Sequence, residues 1–343
     1  MAVVRPFRAL RYDPAVVGGP LDSVVAPPFD VIGPEQREEL LRRSPYNVVH
    51  LTLPDSEEEA AASLQDWQER GILVRDPDPA CWWLAQDYVG PDGVARRREG
   101  FVAALRAEPY ENRVVLPHER THEGPKEGRL RLLRATRTQL EPLFFLWDGT
   151  IEADGLGEPD LQSGGDSLWR LDPEFSEALV EELADGQLLI ADGHHRYETT
   201  LASREQWLLA VIVPSGQEGV TIFPTHRVAR KAGDASGLPI DPPHEHLPGP
   251  VLYRAGRYEL LAGNGFLDPE VVDRFAPSGV TYTPQREEAI AAVDRGDAEA
   301  AFLLRPTLIE DVWAFARRGD VLPQKSTFFY PKLTSGLLML ALD

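Results

Sequence analysis

The sequence predicts an α+β protein, and three observations lead there. Apolar runs of strand length, such as residues 143–147 and 208–214, alternate with segments of helical spacing. The alternation is irregular and includes a hairpin-like pair around Pro91-Asp92-Gly93, unlike a regular parallel sheet. Thirty prolines and 28 glycines spread over 343 residues imply many turns.

The elements follow in order. Residues 3–10 read as a strand and residues 24–32 as an extended segment, because a proline pushes its predecessor out of the helical region. Gly33-Pro34-Glu35 opens a helix: proline suits a first turn, and Glu35, Glu38 and Glu39 suit its positive end. Residues 48–53 predict a strand, residues 56–70 a helix stopped by Gly71, and residues 81–88 with 98–105 a strand pair. Residues 114–118 predict a short strand, 127–139 a helix, 143–147 a strand, 155–166 loops and 173–183 a helix. A strand over 187–191 then meets the turn at Asp192-Gly193, a helix to about Arg204 and a strand over 208–214. Residues 251–261 predict a hairpin, 269–275, 285–294 and 308–318 helices, 300–304 a strand, and 323–332 a loop. The domain expectation is an N-terminal extension (1–110), a core (111–231), a Pro-, Gly- and His-rich linker (232–250) and a C-terminal α+β lobe (251–343).

Composition narrows the function. Asp plus Glu number 55 against 35 Lys plus Arg, a net charge of −20, so the surface repels a polyanion and DNA is disfavoured as a partner. A small anion is still admissible, since its site needs only a few local cations and backbone N–H groups. The single cysteine, Cys81, cannot form an internal disulfide and reads as a half-buried strand thiol. No run approaches the ~18 apolar residues of a membrane span. The expectation is a cytoplasmic protein without a membrane partner, its oligomeric state open.

Three clusters carry chemistry. In Leu188-Leu189-Ile190-Ala191-Asp192-Gly193-His194-His195-Arg196 an apolar strand runs into a glycine and then a helix. The glycine permits a tight turn, and the first helical turn points N–H groups at any anion placed there. Arg196 adds a planar cation suited to phosphate. Asp192 can cap the helix, bind a metal ion or act on a substrate hydroxyl; the bland alternative is an ordinary N-cap with surface histidines. The second cluster, Pro117-His118-Glu119-Arg120-Thr121-His122, mixes a base, cations and a hydroxyl, with Lys126 and Arg129 following. It reads equally as a solvated loop feeding a helix. His118 and His122 have a helical ligand spacing, but no other spaced ligands accompany them, so no metal site is assigned. The third cluster, Gln324-Lys325-Ser326-Thr327, offers an ammonium and two hydroxyls to a phosphate or carboxylate, without the glycines of a P-loop. His226 and Arg227 form a weaker fourth cluster, and His244 and His246 are expected to be solvated.

These clusters carry a resemblance. Arg5-Pro6-Phe7-Arg8-Ala9-Leu10, Val25-Ala26-Pro27-Pro28-Phe29-Asp30-Val31, Pro45-Tyr46-Asn47, His118-Glu119-x-Thr121, residues 191–196, Pro224-Thr225-His226-Arg227 and residues 323–332 together resemble the bacterial and archaeal family called domain of unknown function 1015. More distantly, residues 189–213 are similar to the core of ParB-like proteins and of ADP-dependent free serine kinases. Those kinases share the Asp-Gly-His-His-Arg turn and an upstream Pro-His-Glu, matched here by Pro117-His118-Glu119. Their C-terminal Arg-Gly-acidic and Pro-Lys-Thr-Thr stretch is matched loosely by Arg318-Gly319-Asp320 and Pro323-Gln324-Lys325-Ser326-Thr327. About a hundred residues precede the Pro-His-Glu element that the kinases lack.

The resemblance implies a ParB/sulfiredoxin-like core and a small-molecule kinase that moves phosphate from ADP or ATP to a hydroxyl such as that of serine. It implies Glu119 as catalytic base and Asp192 as a second catalytic residue. Gly193, His194, His195 and Arg196 would hold the nucleotide phosphates. His118, Thr121, His226, Arg227, Lys325, Ser326 and Thr327 would hold substrate. Mg²⁺ would accompany the nucleotide. The alternatives are a ParB-like regulator that binds CTP or ATP, and a phosphohydrolase.

Overall fold

The computed structural model describes residues 2–119, 123–184, 186–242, 247–275 and 277–342. Its architecture is mixed α+β. A nine-stranded sheet runs in the order Val115–Leu116, Leu188–Asp192, Leu143–Trp147, Trp207–Pro214, Ala95–Arg106, Trp82–Val89, Asp166–Arg170, Leu161–Ser163, with Val4–Arg5 added beside Ala95–Arg106. The pairs 115–116 with 188–192 and 143–147 with 207–214 are parallel, and the others are antiparallel.

The central strands read as continuous apolar runs because both faces of the sheet are covered. Phe144, Leu146, Leu189, Ala191, Leu209 and Val211 enter one apolar cluster. Their alternates Leu143, Phe145, Leu188, Ile190, Leu208, Ala210 and Ile212 enter a second. The period of two sends neighbours to opposite faces. Cys81 is buried in the second cluster, and burial pushes its thiol up to about 12, which makes it a packing residue.

Smaller sheets lie around this one. Residues 73–75, 9–12, 339–341 and 138–139 form a four-stranded sheet, so the last strand of the chain lies between its beginning and its middle. Thr221–Phe223 pairs with Phe328–Tyr330. A six-stranded sheet orders Leu238–Ile240, Arg257–Leu260, Val251–Arg254, Ala300–Leu303, His226–Lys231 and Ser278–Thr283. Helix Arg286–Asp294 packs on that sheet, and helix Glu123–Thr136 packs on helix His194–Ser203.

Several expectations are revised. Residues 48–53 are β-rich in composition yet contain the helix Val49–Thr52. Asn47 decides this: its carboxamide oxygen accepts from Val49 N at 3.0 Å, while its nitrogen donates to the carbonyls of Ser23 and Val25. The expected loop over 155–166 ends in a hairpin, where Gly164 (φ 54) and Gly165 form a two-residue turn between Ser163 and Asp166. The tail contains strand Phe328–Tyr330, and the expected linker contributes Leu238–Ile240 to a sheet. Residue 110 falls in the connection between two strands of one sheet, and Ala95–Arg106 is hydrogen-bonded to Trp207–Pro214. His226–Lys231 belongs to the six-stranded sheet. No helix among the described residues is long and apolar enough to cross a membrane.

Candidate functional site

Strand Leu188–Asp192 delivers Asp192 to the first turn of helix His194–Ser203. The register shifts between Ile190 and Asp192, an irregularity of the kind that re-aims side chains beside functional sites. Gly193 joins the two elements in the left-handed region, at φ 96 and ψ 24, and the helix start has no side-chain cap. The first-turn N–H groups thus receive no side-chain cap from Gly193. A Cβ on Gly193 would meet Leu143 Cγ at 3.1 Å and Arg196 Nη2 at 3.2 Å. Gly193→Ala is expected to cost about 1–2 kcal/mol from backbone strain alone. It should also displace the guanidinium, which would weaken any phosphate binding at this turn. Chemical denaturation and pyrophosphate titration check the two effects separately.

Asp192 is the electrostatic centre. Its Oδ1 accepts from Lys332 Nζ at 2.6 Å and its Oδ2 from Arg196 Nη2 at 3.1 Å. The carboxylate is 18% exposed. Burial alone would raise its pKa, but the Lys332 and Arg196 cations outweigh that and hold it down at about 2. Arg196 also donates to the carbonyl of Pro142. Two cations around one carboxylate leave a local positive excess in a chain whose net charge is −20.

The parallel pairing of Leu116 with Leu189 carries the chain forward to set His118 beside the end of the strand. His118 Nδ1 lies 2.7 Å from the carbonyl oxygen of Ile190. A carbonyl only accepts, so Nδ1 carries the proton. In the neutral ring Nε2 is then the acceptor, and the Thr327 hydroxyl donates to it at 2.9 Å. His194 Nε2 accepts the backbone N–H of His118 at 3.3 Å, and the two rings meet edge to face at 4.6 Å. Burial pushes His118 down to about 4; burial, followed by the nearby His118, pushes His194 well down. At neutral pH both rings act as oriented dipoles rather than cations.

Glu119 forms an isolated parallel bridge with Leu322, whose N–H donates to the His118 carbonyl at 2.8 Å. This ties the Pro-His-Glu segment to the tail. Lys325, in a left-handed conformation at φ 55, brings its N–H to 3.5 Å from Glu119 Oε1. Burial raises the Glu119 pKa, partly opposed by Lys325, and Asp192 and Lys332 are close enough to act on it electrostatically. The Ser326 hydroxyl donates to the Pro323 carbonyl, and the Ser326 carbonyl accepts from Thr307. His195 is half-buried in the first helical turn.

Glu119, Lys325 and Thr327 therefore meet the segment 192–196 around His118. His226 and Arg227 are engaged with other partners. His226 Nδ1 accepts the Leu304 N–H at 3.0 Å, and buried Arg227 pairs with Asp273, both within the six-stranded sheet and its connections. Thr121, His122, His244 and His246 lie outside the described residues. Lys332 is the residue that sequence reasoning did not select, although it stands in the tail motif. Of the four lysines in the chain, two, Lys325 and Lys332, are at this site. Among the described residues no group of three or more His, Cys, Asp or Glu is placed to hold a metal.

Comparison with known proteins adds the following. No curated protein matches the sequence. A conserved hypothetical protein from Pyrococcus furiosus is similar in structure at 15% identity, covering 65% of this chain and 92% of its own, with a TM-score of 0.40. A variant of free serine kinase in complex with ADP is similar at 15% identity, 65% and 89% coverage and a TM-score of 0.42. SbnI with C-terminal truncation from Staphylococcus aureus is similar at 10% identity, 70% and 87% coverage and a TM-score of 0.46. The family described as protein of unknown function (DUF1015) matches residues 4–238, which include every strand of the central sheet and the whole Asp192 turn. With more than half of its length matched, the chain belongs to the DUF1015 family.

Proposed function

We propose that this chain is a nucleotide-dependent phosphotransferase that moves a phosphoryl group from ADP or ATP to the hydroxyl of a small molecule such as serine. The observation that carries the reading is the placement of Glu119. A half-buried carboxylate with a raised pKa stands next to Lys325, within electrostatic reach of the Asp192–Lys332 pair. A base is most effective with its pKa near the working pH, and burial moves Glu119 that way.

Nucleotide phosphates would lie on the N–H groups of the first helical turn, between Arg196 and Lys332. The attacking hydroxyl oxygen would form the new P–O bond as the bond from phosphorus to the leaving nucleotide breaks. Glu119 would take the hydroxyl proton. Thr327, turned by its hydrogen bond to neutral His118, would offer lone pairs to an incoming hydroxyl or bound water. Phosphoryl transfer asks mainly for alignment and charge neutralisation, and these residue types supply both. Mg²⁺ would be held chiefly by the phosphates, as is usual for this ion. Within this proposal the strand-turn-helix around Asp192 belongs to a ParB/sulfiredoxin-like core, as the sequence resemblance implies.

The test is direct. The protein is incubated with ADP, ATP or CTP, with and without Mg²⁺, and with serine and other small hydroxyl compounds, and products are followed by ³¹P NMR. The expected result is a phosphate monoester formed in step with the shortened nucleotide. Release of inorganic phosphate alone would assign a phosphohydrolase. Nucleotide binding without consumption would assign a regulator, and both outcomes overturn the kinase reading.

A further inference from the structure

Among the largest fully buried side chains of the described residues, Arg98 is the charged one, and it lies outside the Asp192 turn. It is 1% exposed, and burial lowers its pKa to about 10, which still leaves it cationic at neutral pH. Its hydrogen bonds go to neutral acceptors. Nε donates to Gln86 Oε1 at 3.1 Å, and Nη2 donates to the same oxygen and to the Pro331 carbonyl at 2.9 Å. The guanidinium also lies over the Phe144 ring, 4.4 Å from its centroid. Burying a cation against neutral partners is expensive, and an apolar side chain would pack there at lower cost. Such an arrangement needs a purpose beyond packing.

The hydrogen bonds continue from Gln86. Its Nε2 donates to Asp166 Oδ1 at 2.8 Å, and the Thr334 hydroxyl donates to Asp166 Oδ2. Arg98 and Asp166 thus balance each other's charge through one carboxamide. Both ends of the circuit return to the same short segment. Arg98 holds Pro331 by its carbonyl, and Asp166 holds Thr334 by its hydroxyl. One residue further on, the Ser335 hydroxyl donates to Glu141 at 3.1 Å, and the Ser335 backbone bridges to Ala26. Lys332 stands between the two clamped points, with its ammonium on Asp192.

We infer that Arg98, Gln86, Asp166 and Thr334 form a positioning relay that sets Lys332 against Asp192 and thereby fixes the affinity of the site for phosphate anions. None of the four needs to touch the ligand; they act through the backbone on either side of the lysine. A long, flexible ammonium chain gains affinity when its position is settled before binding, because less rotamer freedom is then lost. The inference rests on reading the Asp192 turn as a phosphate site, but its readouts do not require turnover.

The experiment uses full-length protein with ¹⁵N-labelled lysine, of which there are only four to assign. An ammonium held on a carboxylate exchanges its protons slowly enough to give a side-chain NMR signal. In the wild type the Lys332 signal is expected to be present and to shift on addition of pyrophosphate. In Arg98→Met the signal should broaden or move, and pyrophosphate affinity by calorimetry should fall about tenfold, the scale of one charge-assisted hydrogen bond. Arg98→Lys should restore part of both. Thr334→Val, a milder change at the other end of the circuit, should move the same two readouts in the same direction. It keeps the test decisive where Arg98→Met does not fold. A folded variant at either position with unchanged Lys332 signal and pyrophosphate affinity would overturn the relay and leave Arg98 a packing residue. Wild-type protein that ignores pyrophosphate would overturn the phosphate-site reading itself. Wild-type protein that binds pyrophosphate but transfers no phosphate would overturn only the kinase proposal.

Discussion

Glu119→Gln is expected to lower the rate of phosphoryl transfer by about 10²–10⁴-fold, the usual contribution of a positioned base, while the dissociation constant for ADP stays within about threefold of the wild type. The reasoning is local. Glutamine keeps the size of the side chain and an oxygen able to accept the Lys325 N–H, so the bridge between the Pro-His-Glu segment and the tail should survive. It loses only the capacity to take a proton. The phosphate contacts proposed for Arg196, Lys332 and the helix start do not involve Glu119. Single-turnover transfer assays beside calorimetric ADP titration separate the two quantities. An equal loss of binding and transfer would assign Glu119 to the architecture of the site, and unchanged transfer would remove it from the chemistry.

Asp192→Asn should have the largest effect on stability, a loss of about 3–5 kcal/mol, because it leaves two cations with side chains 10% and 20% exposed facing a neutral amide. The acid limb of the stability curve gives an independent signature. Asp192 is held at about 2 in the folded protein, below the ~3.9 of an unfolded chain. A depressed carboxyl contributes its full stabilisation above the unfolded value and loses it as pH falls through the folded value. The wild type should therefore lose about 2 kcal/mol from this group alone between roughly pH 4 and pH 2, and the asparagine variant should lack that component. Urea denaturation from pH 2 to pH 7 on both proteins measures it. Parallel acid limbs would show that Asp192 does not carry this linkage.

The local positive excess bears on how the protein works as a whole. A surface with a net charge of −20 slows the approach of any anion, so under the proposed function specificity for a small phosphate comes from close range. Lys332 and Arg196 are tied to Asp192 before a ligand arrives. Such preorganisation lowers the entropic cost of binding and suits the proposed transfer of a phosphoryl group.

Much of the site was legible residue by residue. The apolar run to Ala191, the glycine and the His-His-Arg sequence announce a strand, a turn and a helix start, because only glycine enters the left-handed region there without cost. The Pro-His-Glu segment and the Lys-Ser-Thr tail stood out by chemistry, and they meet as expected around His118. His226 and Arg227 stood out more weakly by residue type, and their partners are Leu304 and Asp273. Residue type states what a side chain can bind; it does not state where that side chain is carried. The same limit explains residues 48–53, whose β-rich composition yields to the Asn47 side chain accepting from the Val49 N–H.

The sequence by itself determined the α+β class, the apolar strand-length runs, the acidic charge balance and the chemical inventory of the Asp192 turn. These follow from periodicity, composition and backbone sterics, which act over a few residues. Tertiary structure alone decided which charges meet and in which protonation state. Lys332 lies 140 residues from Asp192, Thr327 lies 209 from His118, and Pro331 lies 233 from Arg98. Burial, which exists only once the sheet is covered, turns His118 and His194 neutral and raises Glu119. The physical reason is that desolvation and Coulomb energy depend on distance in space, and no local pattern in the chain encodes that distance.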